Sequence, residues 1–220
     1  MVLKQGDKPT YSRGLEGVIA DESKICFIDG QKGELYYRGY SIESLKNCTF
    51  AEVTYLLLFA ELPTQSQLDI FTHRLREKRF LPRFVIDIIQ ALPRSAHPME
   101  VLQTCVAALG TDHNGENKIE EKVLTLIAQC PLIVASFYRA KNNQEIVEPS
   151  KEFNEGGHFL YLLGLNPSEE ESRILETCFI LHMEHGFNAS TFAARAIGST
   201  LAPYHSAMAG AVGSLFGPLH

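Results

Sequence analysis

Hydrophobic and polar residues follow two different periods along this chain. Between residues 1 and 40, two runs rich in β-branched and aromatic side chains, 24–29 and 34–38, flank the turn sequence Asp-Gly-Gln-Lys-Gly. Two such runs separated by turn residues predict a β-hairpin. Because a lone hairpin is only marginally stable in water, we expect it to pack on a larger body.

From Ser41 onward the period is helical. Ser41 is a predicted N-cap, Thr49 with Glu52 forms a predicted capping box, and His97-Pro98 begins another helix. These signals and the apolar spacing favour an all-α fold, with a multi-helix domain at 41–220 and a hairpin segment at 1–40. The predicted helices span about 41–45, 49–59, 64–79, 82–93, 97–110, 118–140, 151–163, 168–185, 187–200 and 203–216.

Composition and charge exclude several function classes. The 220 residues, 45% hydrophobic and 21% charged, are typical of a globular protein with one large domain or an uneven pair. The net charge of −6 argues against a nucleic-acid partner, because phosphate binding depends on clustered Lys and Arg. The densest basic run is typical of the solvated face of a helix, and it consists of Arg74, Arg76, Lys78 and Arg79.

Cysteine usage and the polar amino terminus indicate the compartment. Five cysteines at wide spacings, with no Cys-x-x-Cys pair, predict reduced thiols packed as small hydrophobic side chains. Residues 1–14 lack the apolar stretch of a signal peptide, and no run approaches the roughly 18 apolar residues of a membrane span. We therefore expect a soluble cytoplasmic protein, or a matrix protein if a targeting segment was removed.

Histidines are concentrated near the carboxyl end, where four of the eight lie. His182 and His185 are three residues apart, so they would be neighbours on the predicted helix 168–185. Two imidazoles at that spacing can bind a metal, hold an anion or simply be satisfied core histidines. A zinc site needs three or four protein ligands, and no third ligand is evident.

His220 follows Gly217-Pro218, a sequence that ends a helix and places the next residues on a loop. A histidine held on such a loop suits acid–base chemistry, since its pKa is near neutral. The alternative is a terminus without function. Just after His185, Asn188 and Ser190 supply polar side chains, and either one is a candidate N-cap. The last predicted helix, 203–216, is rich in small apolar residues, and its glycines cost roughly 1 kcal/mol each relative to Ala. Close packing against another helix would offset that cost, so we predict a close helix–helix approach here.

Eight short blocks follow one another along the chain, and they are Gly14 to Val18, Ile28 to Gly30, Leu35 to Tyr40, His97 to Met99 with Leu102, Ala107 to Gly110, Phe159 to Tyr161, Leu181 to Thr191 and Gly217 to His220. Taken in order, these blocks resemble the citrate synthase family. Two positions depart from the family pattern: Gly186 replaces a usual Glu, and His158 replaces a frequent Asn. The family also continues well beyond the length of this chain, so we expect the amino-terminal part of a longer enzyme, cut off at a catalytic histidine.

The resemblance implies an acyltransferase that condenses acetyl-CoA with oxaloacetate at the entry to the tricarboxylic acid cycle. His220 matches the catalytic histidine, and His185, His182 and Asn188 match the oxaloacetate-binding block. The CoA thioester is a substrate, so no cofactor and no metal are implied. The family fold is a two-domain, all-α homodimer, here expected to form through helices near 187–216.

Part of the machinery that the resemblance implies lies outside this chain. A second catalytic histidine, the catalytic Asp and the arginines that hold the substrate carboxylates belong to the family's remaining length. The small domain and the carboxyl-terminal helices are likewise expected to be absent. We therefore expect this chain alone to be inactive. The alternatives are a 2-methylcitrate synthase that uses propionyl-CoA, and a non-catalytic helical dimerisation module.

Overall fold

A computed structural model describes residues 21–112 and 118–220 of the chain. The predictions that fall on residues 1–20 and 113–117 lie outside these ranges. Within them, three antiparallel strands precede ten helices, which confirms the all-α class with a small amino-terminal hairpin. The strands are β1 (Cys26–Asp29), β2 (Glu34–Tyr37) and β3 (Tyr40–Ser41). The helices are α1 (Ile42–Leu45), α2 (Phe50–Phe59), α3 (Gln65–Glu77), α4 (Arg83–Ala91), α5 (Pro98–Leu109), α6 (Ile119–Lys141), α7 (Glu155–Leu162), α8 (Glu169–Leu181), α9 (Ala189–Gly198) and α10 (Tyr204–Leu215).

The hairpin forms as predicted and packs on the helices. Strands β1 and β2 pair from Cys26 opposite Tyr37 to Asp29 opposite Glu34. The third strand, β3, was not predicted, and Gly39 at a φ of +90° supplies the turn that leads into it. Tyr37 is fully buried in a cluster that includes Leu45, Val53, Leu56 and Ile180, so the hairpin and the helices share one core.

Helices α1 and α2 begin at the capping residues that the sequence predicts. Thr49 and Glu52 form a reciprocal capping box at α2, and Ser41 accepts a hydrogen bond from the backbone N–H of Ser44. The predicted helix 151–163 is wrong at its start, because the Asn154 side chain caps the helix and delays α7 to Glu155.

The predicted helix 168–185 is also wrong, because α8 ends at Leu181. The His182 ring Nδ1 lies 2.7 Å from the carbonyl oxygen of Cys178, which the next helical N–H would otherwise bind. The backbone N–H of His182 donates to Phe179 instead. Because a carbonyl only accepts, this Nδ1 carries the proton. His182 and His185 are therefore not neighbours on one helix.

Helix α6 forms the centre of the main core. Its buried Ile133 and Phe137 pack with Val85 of α4 and Val106 of α5. Contrary to the expectation from the sequence, α6 is long and apolar enough to cross a membrane by length and composition. More than half of that stretch is buried within the protein, as in the core helix of a soluble fold.

The basic run at the end of α3 is not the solvated face that the sequence predicts. Arg79 is 6% exposed, and its guanidinium donates to the carbonyls of Ser150 and Phe153 at 2.9 and 3.0 Å. It also pairs with Glu155 of α7 at 2.7 Å. Lys78, 9% exposed, pairs with Glu121 of α6 at 2.6 Å. These cations join α3 to its neighbours, and charges buried in this way require such partners.

The last helix approaches its neighbours closely, as the glycines predict. A Cβ built on Gly210 would collide with the Ile197 side chain of α9, and one on Gly213 would collide with Gln103 of α5. At the end of α5, a Cβ on Gly110 would lie 2.7 Å from Cβ of His205. The Ile197 and Gln103 atoms are the far ends of flexible side chains, so the contact between Gly110 and the His205 Cβ is the one that limits the spacing of α5 and α10.

His158 of α7 is a buried imidazole with an unsatisfied nitrogen. Its side chain is 3% exposed, and within residues 21–112 and 118–220 no group hydrogen-bonds its Nε2. Burial, with the nearby positive charges of Arg79 and Arg76, lowers the pKa of His158 from 6.5 to about 3. The ring therefore stays neutral inside the fold well below the pH at which it would charge in water.

His158 should make the chain less stable in mild acid. Between pH 6.5 and about 3 the unfolded chain binds a proton that the folded chain excludes, so stability falls as pH falls. One such group adds up to about 1.4 kcal/mol per pH unit to the slope of the unfolding free energy against pH. We expect His158→Gln to remove this slope in urea unfolding between about pH 4 and 6, whereas His73→Gln, at an exposed site, keeps it. Equal slopes for the two variants would contradict the assignment.

Candidate active site

Asn188 begins helix α9 and fixes its first turn. The Asn188 Oδ1 accepts a hydrogen bond from the backbone N–H of Thr191 at 2.8 Å, so Asn188, and not Ser190, is the N-cap. Ser190 is then the second residue of the helix. The cap and the helical geometry together hold the Ser190 backbone in place.

His220 lies just beyond helix α10, in a turn closed by a hydrogen bond from its backbone N–H to Gly217 at 3.0 Å. Its ring Nε2 is 2.8 Å from the Ser190 hydroxyl oxygen. The ring of His185 lies 6.0 Å away, centroid to centroid, at an interplanar angle of 82°. Two predicted site residues, His185 and His220, thus lie beside each other, with Ser190 bonded to one of them.

The loop that carries His185 is tied to the hairpin. The Tyr37 hydroxyl donates to the carbonyl of Ile180 at 3.1 Å and accepts from the backbone N–H of Glu184 at 3.3 Å. Gly186 has a φ of +89° and donates its N–H to the Glu184 carboxylate at 2.6 Å. Since a side chain at position 186 would strain this backbone, the departure from the family pattern suits the local turn.

His182 occupies a different environment from the other two site histidines. Its ring lines an apolar cavity of about 570 Å³, together with Phe179 and Met183. Its hydrogen bond joins it to Cys178 and not to the site pair. The structure therefore brings together His185, His220 and the Asn188-capped helix, and it places the His182 side chain in the wall of the neighbouring cavity. Its role as an oxaloacetate contact stays a prediction.

The paired rings can act as hydrogen-bond donors to an oxygen-rich substrate. Each imidazole carries at least one N–H, and both His185 and His220 are exposed. Such donors suit carboxylate or carbonyl oxygens. Across residues 21–112 and 118–220, no three His, Cys, Asp or Glu side chains converge on one point. Two histidines alone fall short of the ligands that a zinc site uses.

The family model described as "Citrate synthase, C-terminal domain" matches residues 14–220. The chain belongs to the citrate synthase family. Among its relatives, the citrate synthase of Deinococcus radiodurans is 40% identical over 216 residues, covering 95% of this chain and 57% of the relative. The 2-methylcitrate synthase 1 of Corynebacterium glutamicum is 40% identical over 220 residues, covering 94% of this chain and 58% of the relative.

Solved structures of the family have the same fold. The citrate synthase of Pyrobaculum aerophilum superposes with a TM-score of 0.86 at 37% identity, over 100% of this chain and 60% of its own. A Thermoplasma acidophilum citrate synthase, in ternary complex with carboxymethyl coenzyme A and oxaloacetate, superposes with a TM-score of 0.90 at 29% identity. The superposition covers 97% of this chain and 58% of the other. The chain thus spans less than two thirds of the length of these relatives.

Sequence reasoning missed two contributions to this site. The hydroxyl of Ser190 was visible as a polar group after His185, but its partner His220 lies 30 residues further on. The Tyr37 hydroxyl accepts a hydrogen bond from Glu184, in the loop before His185, although the two residues are 147 positions apart in the sequence. No spacing rule links such distant positions. The family blocks that contain all these residues were the only signal that could have grouped them.

Replacing Ser190 should release the His220 ring. We expect Ser190→Ala to move the nitrogen-15 chemical shift of His220 Nε2 towards that of a free imidazole, because the 2.8 Å hydrogen bond is lost. The cost in stability should be below about 1 kcal/mol, since the bond is exposed. Ser199→Ala, at the other end of α9, is the matched control, because the Ser199 hydroxyl donates to the carbonyl of Ala196 in its own helix. An unchanged His220 shift in Ser190→Ala would refute the contact.

Proposed function

We propose that this chain supplies the histidine-bearing, oxaloacetate-binding part of an enzyme that condenses acetyl-CoA with oxaloacetate to give citrate and CoA. The observation that carries the proposal is the convergence of His185, Ser190 and His220 in a member of the citrate synthase family. The reaction is an acyl transfer in which the acyl group becomes an alkyl group. It would bring acetyl carbon into the tricarboxylic acid cycle.

The chemical difficulty lies in the acetyl methyl group, which is a very weak acid. A carboxylate base outside this chain would take its proton, while an N–H of His220 hydrogen-bonds the thioester oxygen on which negative charge develops. The resulting enolate carbon bonds to the keto carbon of oxaloacetate, whose oxygen takes up a proton. Water then cleaves the thioester and releases CoA. Ser190 holds the His220 ring for this task.

The remaining site residues would hold oxaloacetate. His185 would donate to its carboxylate or keto oxygen. His182 would act as a second contact or an orienting group, through Nε2, because its Nδ1 is committed to Cys178. Asn188 would support the loop by capping α9. The CoA thioester is a substrate, so the reaction needs no further cofactor.

A second candidate is a 2-methylcitrate synthase that uses propionyl-CoA. Curated 2-methylcitrate synthases match this chain at 38–40% identity, within the range of 36–40% of the citrate synthases. Both reactions begin by forming an enolate next to a thioester, so the histidine pair would serve either. The competing acyl groups differ by one methylene.

The assembly we propose is a homodimer through the surface of α9, α10 and their connection. No residue of α9 is buried. Phe192 on α9 is 47% exposed, and Leu201 between the two helices is 94% exposed. Apolar side chains left in water in this way favour a protein interface. Residues 1–40 would form an amino-terminal segment of the helical large domain at 41–220. The five free cysteines suit a reducing compartment, and we place the protein in the cytoplasm.

A chimera tests the proposed chemistry. When this chain replaces the matching part of the Deinococcus radiodurans citrate synthase, we expect CoA release from acetyl-CoA that depends on oxaloacetate. His220→Ala should lower kcat by about 10²–10⁴-fold, because it removes the hydrogen bond to the developing enolate. His73→Ala, at an exposed position on α3, is the matched control and should keep the rate. A thiol assay follows the CoA.

The 220-residue chain alone should release no CoA, because it lacks the base. Faster turnover of propionyl-CoA by the chimera would favour the second candidate. An unchanged rate in His220→Ala, or robust turnover by the chain alone, would contradict the proposed chemistry. A dimer that ignores oxaloacetate in calorimetric titration, with an inactive chimera, would favour a non-catalytic helical module.

A further inference from the structure

Helices α5 and α10 pack antiparallel, and contacts at their two ends show this. At one end, Gly110 after α5 lies against the Cβ of His205, near the start of α10. At the other end, the ring of His97, which begins α5, lies 4.5 Å from the ring of Phe216, centroid to centroid. Phe216 is the residue that follows α10. The start of α5 therefore lies beside the segment that leads to His220.

The orientation of the His97 ring is fixed by its own helix. Its Nδ1 accepts a hydrogen bond from the backbone N–H of Met99 at 3.2 Å, so the ring is the N-cap of α5. The backbone N–H of His97 donates to the Glu100 carboxylate at 2.9 Å. Pro98, with its restricted φ, is the first residue of the helix. Backbone and ring are both held, and the ring plane is set with respect to α5.

The rings of His97 and Phe216 are stacked. Their planes are 27° apart, which is close to parallel, and such ring pairs attract each other beyond the area they bury. Phe216 is the C-cap of α10, and its backbone N–H still donates to carbonyls within the helix. The stack therefore joins the fixed start of α5 to the last position at which α10 controls the chain.

The turn after Phe216 is held at both of its ends. The backbone N–H of His220 donates to Gly217, which closes the turn, and the His220 ring bonds the Ser190 hydroxyl at 2.8 Å. Between these ends, Leu219 is 99% exposed, so its side chain packs against almost nothing. The direction of the turn thus depends on the anchor at Phe216 as well as on the hydrogen bond at Ser190.

We propose that His97 is a positioning residue for His220. Its ring stacks on Phe216 and so holds the turn 217–220 at the angle that brings Nε2 of His220 to Ser190. The inference deepens the proposed function and rests on it, because the step that needs this position is the formation of the enolate. His97 acts through Phe216 and not on the substrate. A displacement of about 1 Å at a reacting group can cost on the order of 10²-fold in rate.

Two substitutions separate the stacked ring from the helix cap. His97→Asn keeps an oxygen that can cap α5 but removes the ring, whereas His97→Phe keeps the ring and removes the cap acceptor. In the chimera with the Deinococcus radiodurans enzyme, we expect His97→Asn to lower kcat at least about tenfold. The KM for oxaloacetate should stay within about twofold, because His185 lies on a separate loop. His97→Phe should restore kcat while lowering Tm.

A second readout does not depend on the reaction. In the 220-residue chain, His97→Asn should move the nitrogen-15 shift of His220 Nε2 towards that of a free imidazole, and His97→Phe should leave it in place. Phe216→Leu should cause the same movement. The double variant His97→Asn, Phe216→Leu should add nothing, since the two rings act as one pair. Thr64→Ala, at the N-cap of α3, is the control for a lost cap and should lower Tm without moving the shift or kcat.

Two outcomes would overturn the inference. The first is an unchanged His220 signal in His97→Asn. The second is a loss of kcat that follows Tm and is as large in His97→Phe as in His97→Asn, because the cap and not the ring would then matter. If the signal moves as expected but the unsubstituted chimera makes no citrate, the positioning stands and the proposed reaction fails.

Discussion

The close approach of the last helix to its neighbours is the constraint on which the site depends. Gly110 at the end of α5 lies so close to α10 that a Cβ on it would be 2.7 Å from the Cβ of His205, and Gly210 faces the end of the Ile197 side chain of α9. Because α10 lies this close to α9, the turn after α10 brings His220 to the side chain of Ser190. Each glycine costs roughly 1 kcal/mol of helix propensity, and the packing it permits offsets that cost. A wider spacing would carry the ring out of hydrogen-bond range.

Features with local causes could be predicted from the sequence. The capping box of Thr49, the caps at Ser41 and Asn188 and the β1–β2 hairpin depend on residues a few positions apart, and each formed where expected. The end of α8 could not be predicted, because the His182 ring competes with the backbone for the Cys178 carbonyl. Arg79 was misassigned to the surface because its partners come from 71 to 76 residues away.

The site shows the same division between local and long-range causes. His185 and His220 could be singled out from chemistry and family blocks, but their proximity is a tertiary fact, set by three helices and by the Tyr37 hydroxyl. The apolar cavity beside His182 was invisible in the sequence, because its walls come from six separate helices.

The central claim is that His185 and His220 share one site, and ring-proton contacts measure this most directly. In protein labelled with carbon-13 at histidine, nuclear Overhauser spectroscopy should show a cross-peak between the two imidazoles, assigned by its loss in His185→Gln and in His220→Gln. The 6.0 Å centroid separation at a steep interplanar angle places ring edges close enough for that signal. Spectra in which each ring has contacts, but none with the other, would contradict the account.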